Sequence, residues 1–156
     1  VRQKRNVHIW GFGWKEEKLW IDRTFDVNIP LESIHGFLPY KQTVEIYHQS
    51  KIMLGIQNAH DQVTQRTFEI LGSGSFMIAS NTEELSRLFI NGKEIVLSNS
   101  PQETIDLADY YLRHPEERKT IEKKSREKIL KFHTFSERLS RVWPKLQSIV
   151  ENKRGV

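Results

Sequence analysis

The chain has 156 residues, about the size of one ordinary domain. Apolar residues make up 37% of it and charged residues 28%, a balance that predicts a soluble globular protein and excludes a disordered one. No apolar run approaches the roughly 20 residues that a membrane-spanning helix needs. The sequence contains no cysteine, which excludes disulfides and thiolate metal sites and makes the reducing cytosol the default location.

The amino terminus and the charge pattern bear on two further questions, whether the chain carries a signal peptide and whether it binds nucleic acid. The first residues, "VRQKRNVHIWGFGW", include basic side chains but no long apolar run, so we expect no signal peptide. The chain begins with Val1 rather than Met, which is consistent with a fragment of a longer protein. The net charge is +4, but Lys and Arg are interleaved with Glu in "HPEERKTIEKKSREKILK". This interleaving favours a solvated helix face with i,i+4 ion pairs over a nucleic-acid surface.

In chain order, the sequence predicts strands that alternate with helices and then a helical remainder. The predicted strands are β-rich or nearly continuous apolar runs, at residues 6–10, 33–38, 51–57, 75–80 and 94–98. Helices are predicted between them at residues 40–50, 64–71 and 82–89, with residues 15–25 helical or irregular. Three helices are predicted to follow, at residues 100–114, 115–133 and 134–153, the last with a kink at Pro144.

This alternation indicates an α/β fold, specifically a Rossmann-like, doubly wound parallel sheet of about five strands with a helical carboxyl-terminal tail. Sheets of this kind bind ligands outside the carboxyl ends of their strands, where loops lead into helix N-termini. Candidate binding residues are therefore expected in the loops that follow the first three predicted strands.

The loop after the first predicted strand is "GFG", residues 11–13. Gly11 and Gly13 would let the backbone come close to a ligand, although two glycines after a strand are also typical of a tight turn. The third glycine of the dinucleotide fingerprint is missing, so NAD binding is not predicted.

The loop after the second predicted strand is "HGFLPYK", residues 35–41. Gly36 would again allow a close approach, and Phe37 and Tyr40 could flank a planar base. The alternative is that Phe37 and Leu38 simply belong to the hydrophobic core.

The third loop, "NAHDQVTQRTFE" at residues 58–69, is the longest polar connection between the strands and leads into a helix. Thr64 and Gln65 would lie in the first turn, where free N–H groups and the helix dipole attract phosphate. Arg66 adds a forked, permanently charged donor, and Glu69 could accept from two vicinal hydroxyls. Gly72 and Gly74 would end this helix and remove side-chain bulk nearby. The alternative is that Glu69 only pairs with Arg66 at i,i+3.

Other kinds of chemistry find little support in the sequence. His60 and Asp61 share the third loop, but a metal site needs more donors, and neither His35 nor His48 stands at ligand spacing. No Ser–His–Asp arrangement and no nucleophile elbow is visible. We therefore predict no metal site and no hydrolase site.

Several longer segments resemble one family of proteins. The segment "RTFEILGSGSFMIAS" resembles the second half of the sugar-nucleotide motif in GT-B glycosyltransferases. More closely, the chain is similar to the carboxyl-terminal domain of the CgeB, or spore-maturation, type of glycosyltransferase. The segments "VHIWGFGW" and "HGFLPYKQTVEIYHQSKIMLGIQ" resemble its first three strands with their turns, and "LFINGKEIVLSNSPQETIDLADYYLRHPEERKTI" and "FHTFSERLSRV" resemble its tail. The resemblance covers nearly the whole chain.

This resemblance implies a site for a nucleotide sugar, with UDP as the expected nucleotide. The GT-B motif has two acids eight positions apart, and Glu69 stands where the second binds the ribose hydroxyls. Asp61 stands at the first position, near the donor sugar, as the one candidate catalytic residue; it is one methylene shorter than the usual Glu. Arg66 and the first-turn amides would hold the diphosphate without a metal, and the base would pack near residues 36–38. The implied nucleotide-sugar-binding residues are Glu69, Arg66, Gln65, Thr64, Gly11, Gly13, Gly36, Phe37 and Leu38.

The resemblance also implies a missing partner domain. GT-B enzymes have two Rossmann-like domains, and the reaction takes place in the cleft between them. Residues 1–133 would form the donor-binding domain, and residues 134–156 a helix that returns toward an amino-terminal domain absent from this chain. That domain would supply the acceptor site, so we expect the chain alone to bind donor weakly and to transfer no sugar. Phe135, Leu139, Val142 and Trp143 would face the missing domain. The acceptor is not indicated; the expected location is the cytoplasm, with a link to spores by resemblance.

Three other interpretations stay open at this point. The first is a catalytically inactive GT-B-like binding or interaction module, which the Asp at position 61 favours. The second is a nucleic-acid or polyanion binder, which would show strongly salt-dependent binding. The third is a response-regulator-like or other flavodoxin-type domain, although such a domain would have clustered acids after the first strand, where "GFGW" has none.

Overall fold

The computed structural model describes residues 5–154 and the side chains of residues 5–151. The chain divides into two compact units. The first unit extends to Glu45 and the second unit begins at Ile46, so that the boundary falls inside one helix.

The first unit contains one pair of parallel strands. Ile9 lies opposite Ile34 and Trp10 opposite Gly36, with a shift of register between the two pairs. The Gly11 N–H continues this pairing by donating to the Gly36 carbonyl at 2.7 Å. The elements are β1 (Ile9–Trp10), α1 (Lys18–Phe25) and β2 (Ile34–Gly36), followed by the first turns of α2 (Tyr40–Gln49).

The second unit contains a three-stranded parallel sheet and five helices after the end of α2. The strands are β3 (Met53–Gly55), β4 (Met77–Ser80) and β5 (Val96–Ser98), in the order β3-β4-β5. Gly55, Ala79 and Leu97 stand side by side in the register, so the carboxyl ends of the strands share one edge. The helices are α3 (Gln65–Ser73), α4 (Glu83–Leu88), α5 (Pro101–Arg113), α6 (Pro115–Phe132) and α7 (Phe135–Arg154).

The α/β class with parallel strands is confirmed, but a single sheet of about five strands is wrong. The five strands form a pair, β1-β2, and a separate triplet, β3-β4-β5. Each strand spans only two to four residues, and the β1-β2 ladder is already interrupted between Ile9 and Trp10. In the first unit, β1 and β2 therefore pair only with each other. The predicted strands at residues 6–10, 75–80 and 94–98 end where β1, β4 and β5 end, but each begins two or three residues earlier than the observed strand.

The core of the second unit lies on both faces of β4, because neighbouring side chains on a strand point to opposite faces. Met77 and Ala79 pack in one buried cluster with Ile70, Leu71 and Ile129. The alternate residues Phe76 and Ile78 pack in a second cluster with Val96, Tyr111 and Ile121. Helices therefore cover both faces of this sheet, as a doubly wound arrangement requires.

The glycines of α3 serve the packing and the end of that helix. A Cβ atom on Gly72 would lie 3.1 Å from Cγ2 of Ile129, so the missing side chain lets α3 approach α6 closely. Gly74 has φ +86° and ends the helix with a left-handed residue, a conformation that favours glycine. A Cβ atom there would meet Arg126 at 3.4 Å. Gly74 ends the helix as expected, whereas Gly72 lies inside α3, and the space that both glycines leave is next to α6.

The last helix was predicted at residues 134–153, with a kink at Pro144. The helix is confirmed, since α7 runs from Phe135 to Arg154 with Pro144 inside it, and the kink stays a prediction. Within residues 5–154, no helix is long and apolar enough to cross a membrane.

Candidate functional site

The N-terminus of α3 lies directly beyond the sheet edge where β3 ends. Thr64 is the N-cap residue, with extended backbone angles, but its side chain does not cap the helix. The Thr64 hydroxyl instead lies 3.1 Å from Oγ1 of Thr67. The first N–H groups of an α-helix have no partner within the helix. The first turn of α3 therefore carries the partial positive charge of a helix N-terminus.

A pocket of about 280 Å³ lies at this helix N-terminus, within the second unit. It joins the carboxyl end of β3 with the first turn of α3, the position that open α/β sheets use for ligands. Three of the residues that sequence analysis selected line it together, namely Thr64, Gln65 and Arg66. The other lining residues are Gly55, Ile56, Asn58 and Met77, none of which was predicted.

Gly55 determines the floor of this pocket. A Cβ atom at position 55 would lie 1.6 Å from Cε of Met77, a separation that atoms cannot adopt. Met77 is almost fully buried, with only 1% of its surface exposed, so it has little freedom to move away. The glycine at the end of β3 thus leaves the space that the end of the Met77 side chain occupies, and a side chain at position 55 would have to displace it. A glycine in a strand is the sequence signal that could have found it, because such a glycine often marks a close approach of neighbouring groups.

Gln57 connects the end of β3 with the first turn of α3. Its side-chain oxygen accepts a hydrogen bond from the Thr64 N–H at 3.0 Å. Its side-chain nitrogen donates to the Gly55 carbonyl at 3.2 Å and to Thr67 Oγ1 at 3.1 Å. Gln57 was not predicted from the sequence, because these bonds depend on the path of the loop between positions 57 and 64.

Glu69 lies one turn into α3 and is half-buried. Its Oε1 accepts a hydrogen bond from Nε2 of Gln65 at 2.8 Å, across one helical turn. The i,i+4 partner Gln65 thus orients the carboxylate. Glu69 does not line the pocket itself, so its contact with a ligand stays a prediction.

Asp61 is exposed in the loop before α3 and does not line the pocket. Its contact with a donor sugar therefore stays a prediction. His60, in the same loop, is exposed as well. Across residues 5–154 there is no group of three or more histidine, aspartate or glutamate side chains placed to hold a metal ion.

The candidate glycines of the first unit stand at the carboxyl ends of its two strands. Gly11, Gly13 and Gly36 all have positive φ angles, of 149°, 83° and 78°. These conformations favour glycine and make the turns after β1 and β2 tight. The tight-turn interpretation of "GFG" therefore holds, and close approach of a ligand there stays a prediction.

Aromatic side chains project from the same two turns of the first unit. Phe37 is 61% exposed and Phe12 is 81% exposed, and their rings stack at 5.0 Å between centroids with an angle of 19°. Leu38 is half-buried and Tyr40 is exposed. The alternative in which Phe37 belongs to the core is therefore wrong, whereas a contact of Phe37 with a base remains a prediction.

Solved structures of other proteins share this fold. The crystal structure of HepE (Alr3699) from Anabaena in complex with UDP matches with a TM-score of 0.70 and 16% identity, over 91% of this chain and 41% of that one. Sucrose-phosphate synthase from Thermosynechococcus elongatus matches with a TM-score of 0.67 and 11% identity, over 86% of this chain and 35% of that one. This chain thus spans less than half the length of either protein.

The sequence itself matches a family model described as glycosyl transferase-like over residues 1–143. Since the match covers most of the 156 residues, the chain belongs to this glycosyl transferase-like family. No curated protein matches the sequence. The expected resemblance to GT-B glycosyltransferases is confirmed at the level of family and fold.

Proposed function

We propose that the chain is the nucleotide-sugar-binding part of a GT-B glycosyltransferase, and that its pocket holds the diphosphate of the donor. The observation that carries this proposal is the position of Arg66 and the first turn of α3 around one pocket at the end of β3. The expected donor is UDP-linked. HepE, a structural neighbour, was crystallised with UDP, which supports this choice of nucleotide.

The charge at the pocket suits a diphosphate. The first-turn N–H groups of α3 and the helix dipole favour an anion, and the guanidinium of Arg66 supplies a full positive charge with forked donors. The volume of about 280 Å³ lies just below the roughly 300–1,000 Å³ typical of ligand pockets. A space of this size suits part of a nucleotide sugar rather than the whole molecule.

The remaining contacts are assigned from the family motif. Glu69 would accept hydrogen bonds from the two ribose hydroxyls, after giving up or sharing its bond with Gln65. Asp61 would contact the donor sugar, although its exposed position makes it the weaker assignment. The base would pack at the turn after β2, and the proposed residues of the first unit are Gly11, Gly13, Gly36, Phe37 and Leu38.

The chemistry that these residues can supply is stabilisation of a leaving group. When the bond between the sugar and the diphosphate breaks, negative charge grows on the diphosphate. The α3 amides and Arg66 are fixed donors that would stabilise this charge, a role that needs no metal ion. The acceptor and its activation would come from another part of the protein.

The last helix supports the proposal that this part belongs to a larger enzyme. Along α7 the apolar side chains recur on one face, and all of them are at least 44% exposed. The proposed role of residues 134–156 is to return to an amino-terminal domain, whereas residues 1–133 bind the donor. The exposed apolar residues of α7 are Phe135, Leu139, Val142, Trp143, Leu146, Ile149 and Val150.

Within the family, we propose the CgeB, or spore-maturation, type. The support is the set of resembling segments from "VHIWGFGW" to "FHTFSERLSRV", which follow one another in the same order. The corresponding location is the cytoplasm, with an association with spores. Purification of the native protein from sporulating and vegetative cells would test this assignment.

The proposed function is tested by calorimetric titration of UDP, GDP and TDP into the chain. We expect saturable binding of UDP in preference to the other two nucleotides. Arg66→Ala and Glu69→Ala should each raise the Kd about tenfold to a hundredfold, since a hydrogen bond to a charged group contributes about 1.5–3 kcal/mol. Lys124→Ala and Glu127→Ala, which change exposed charges on α6, are the matched controls and should bind as the wild type does.

The alternative function is an inactive GT-B-like interaction module. The exposed position of Asp61, outside the pocket, favours this alternative. A chain that binds none of the three nucleotides, together with controls that fold normally, would replace the donor-binding proposal with this one. Sugar transfer by the purified chain to any acceptor would contradict both the module and the need for a second domain.

A further inference from the structure

We propose that Gln57 is a positioning residue, which fastens the first turn of α3 to the end of β3 and so holds one wall of the pocket in place. This inference rests on the proposed nucleotide site. Gln57 does not line the pocket, so its effect on a ligand would be exerted through Thr64 and the two residues after it.

The side chain of Gln57 uses both its acceptor and its donors. Oε1 accepts from the Thr64 N–H at 3.0 Å, and Nε2 donates to the Gly55 carbonyl and to Thr67 Oγ1. Only a side-chain amide offers an acceptor and two donors on one rigid plane. Asparagine is one methylene shorter, and glutamate lacks the donors. The half-buried position of Gln57 limits the competition from water for these bonds.

These bonds matter because the start of α3 lacks the usual cap. Thr64 is the N-cap residue, yet its side chain accepts no hydrogen bond from the first turn. A Ser or Thr cap normally fixes a helix start by this bond. Here Gln57 holds the backbone of Thr64 instead. Since Gln65 and Arg66 follow directly and line the pocket, their position depends on this attachment.

The attachment also connects the two sides of the pocket. Gly55 lies on the floor of the pocket and Thr64 on its helical side, and Gln57 is bonded to both. The side chain of Gln57 thereby joins the two ends of the loop of residues 58–63. A change at Gln57 should therefore alter the distance between the floor and the phosphate-facing turn without removing any lining residue.

The test uses the full chain with two variants at this position and one control. Gln57→Met keeps the length of the side chain and removes every hydrogen bond. Gln57→Glu keeps an acceptor for the Thr64 N–H and removes both donors. Gln62→Met changes an exposed glutamine of the same loop and is the matched control.

The first readout is the hydrogen exchange of the Thr64 amide by NMR. We expect exchange about fivefold to tenfold faster in Gln57→Met, the loss of one ordinary hydrogen bond. In Gln57→Glu the Thr64 amide should exchange more slowly than in Gln57→Met, because an acceptor remains even though the second carboxylate oxygen faces the Gly55 carbonyl. A side chain that only fills space would make the two variants behave alike. The Gln62→Met control should exchange at the wild-type rate.

The second readout is the UDP affinity of Gln57→Met, which we expect to fall about fivefold to tenfold relative to the wild type and to Gln62→Met. Equal Thr64 exchange in the wild type and in Gln57→Met would overturn the inference and leave the proposed function standing. If the wild type binds no nucleotide while Thr64 exchange still responds to Gln57→Met, the attachment is supported and the proposed function fails.

Discussion

The two units of the chain differ in how they place their apolar side chains. In the second unit, successive residues of β4 enter two buried clusters, so that Met77 and Ile78 are each 1% exposed. In the first unit, among residues 5–45, Ile34 is the one buried apolar side chain. Large aromatic residues of the first unit, such as Phe12 and Trp20, are more than half exposed.

This difference assigns stability mainly to the second unit and recognition of other molecules mainly to the first. Burial of apolar surface is the main favourable term in folding, so the free energy of unfolding should depend chiefly on the second unit. Clusters of exposed apolar side chains commonly mark surfaces that bind another molecule. The stacked pair Phe12–Phe37 and the edge-to-face pair Trp20–Phe25 are such clusters in the first unit.

The largest expected effect tests this separation directly. Phe76→Ala removes a fully buried ring that packs on Tyr111, and we expect it to lower the free energy of unfolding by about 3–5 kcal/mol. Phe12→Ala removes an exposed ring of the same type and should change it by less than about 0.5 kcal/mol. Urea unfolding followed by circular dichroism measures both. A similar loss in the two variants would show that the first unit carries as much stability as the second.

A smaller loss of stability is expected for a substitution of Gly55, at the floor of the pocket. Gly55→Ala forces a methyl group against Met77, and we expect it to lower the free energy of unfolding by about 1–3 kcal/mol. Gly13→Ala is the control in the first unit. No atom lies within 4 Å of the added methyl there, and only the cost of the positive φ of 83° remains.

The cause of the Gly55 effect can be isolated with a second substitution. If the methyl group collides with Met77, the double variant Gly55→Ala/Met77→Ala should lose less stability than the sum of the two single losses. Additive losses would mean that the collision is relieved elsewhere and that Gly55 is not required by Met77.

The sequence was most informative about the second unit, for a physical reason. A strand that is buried on both faces is a nearly continuous apolar run, so "SFMIAS" predicted β4 and "EIVLS" predicted β5. The helix starts at Ser100 and Thr82 were predictable as well, because each of these side chains caps its helix. The number of strands in one sheet was not predictable, because pairing depends on backbone contacts between distant segments.

The candidate site was predictable only in part. Thr64, Gln65 and Arg66 were found because a polar loop that leads from a strand into a helix is a local pattern. Gln57 and the contact of Gly55 with Met77 were missed, because they depend on how β3, its loop and β4 meet in space. Asp61 was assigned from the resemblance to the GT-B motif, in which two acids stand eight positions apart, and a motif does not report exposure.

The smallest expected effect is a pH dependence of the free energy of unfolding, which arises from His133 at the end of α6. His133 packs its ring between Phe68 and Phe89. Burial lowers the pKa of His133 below its ordinary value of 6.5, and the positive charges of Arg138, Lys128 and Arg141 lower it further, against an opposite effect of Glu94. The folded chain therefore binds fewer protons at this site than the unfolded chain near pH 6.

Because the unfolded state then binds more protons, stability should fall as the pH drops below 6.5 toward the lowered pKa of His133. Partial exposure screens the effect, so we expect less than about 1 kcal/mol in the unfolding free energy. His133→Gln should reduce the difference in urea midpoint between about pH 7 and pH 5, whereas His60→Gln, at an exposed loop position, should leave it unchanged. If both variants keep the full difference, the acid sensitivity arises elsewhere and the packing around His133 does not depend on a neutral imidazole.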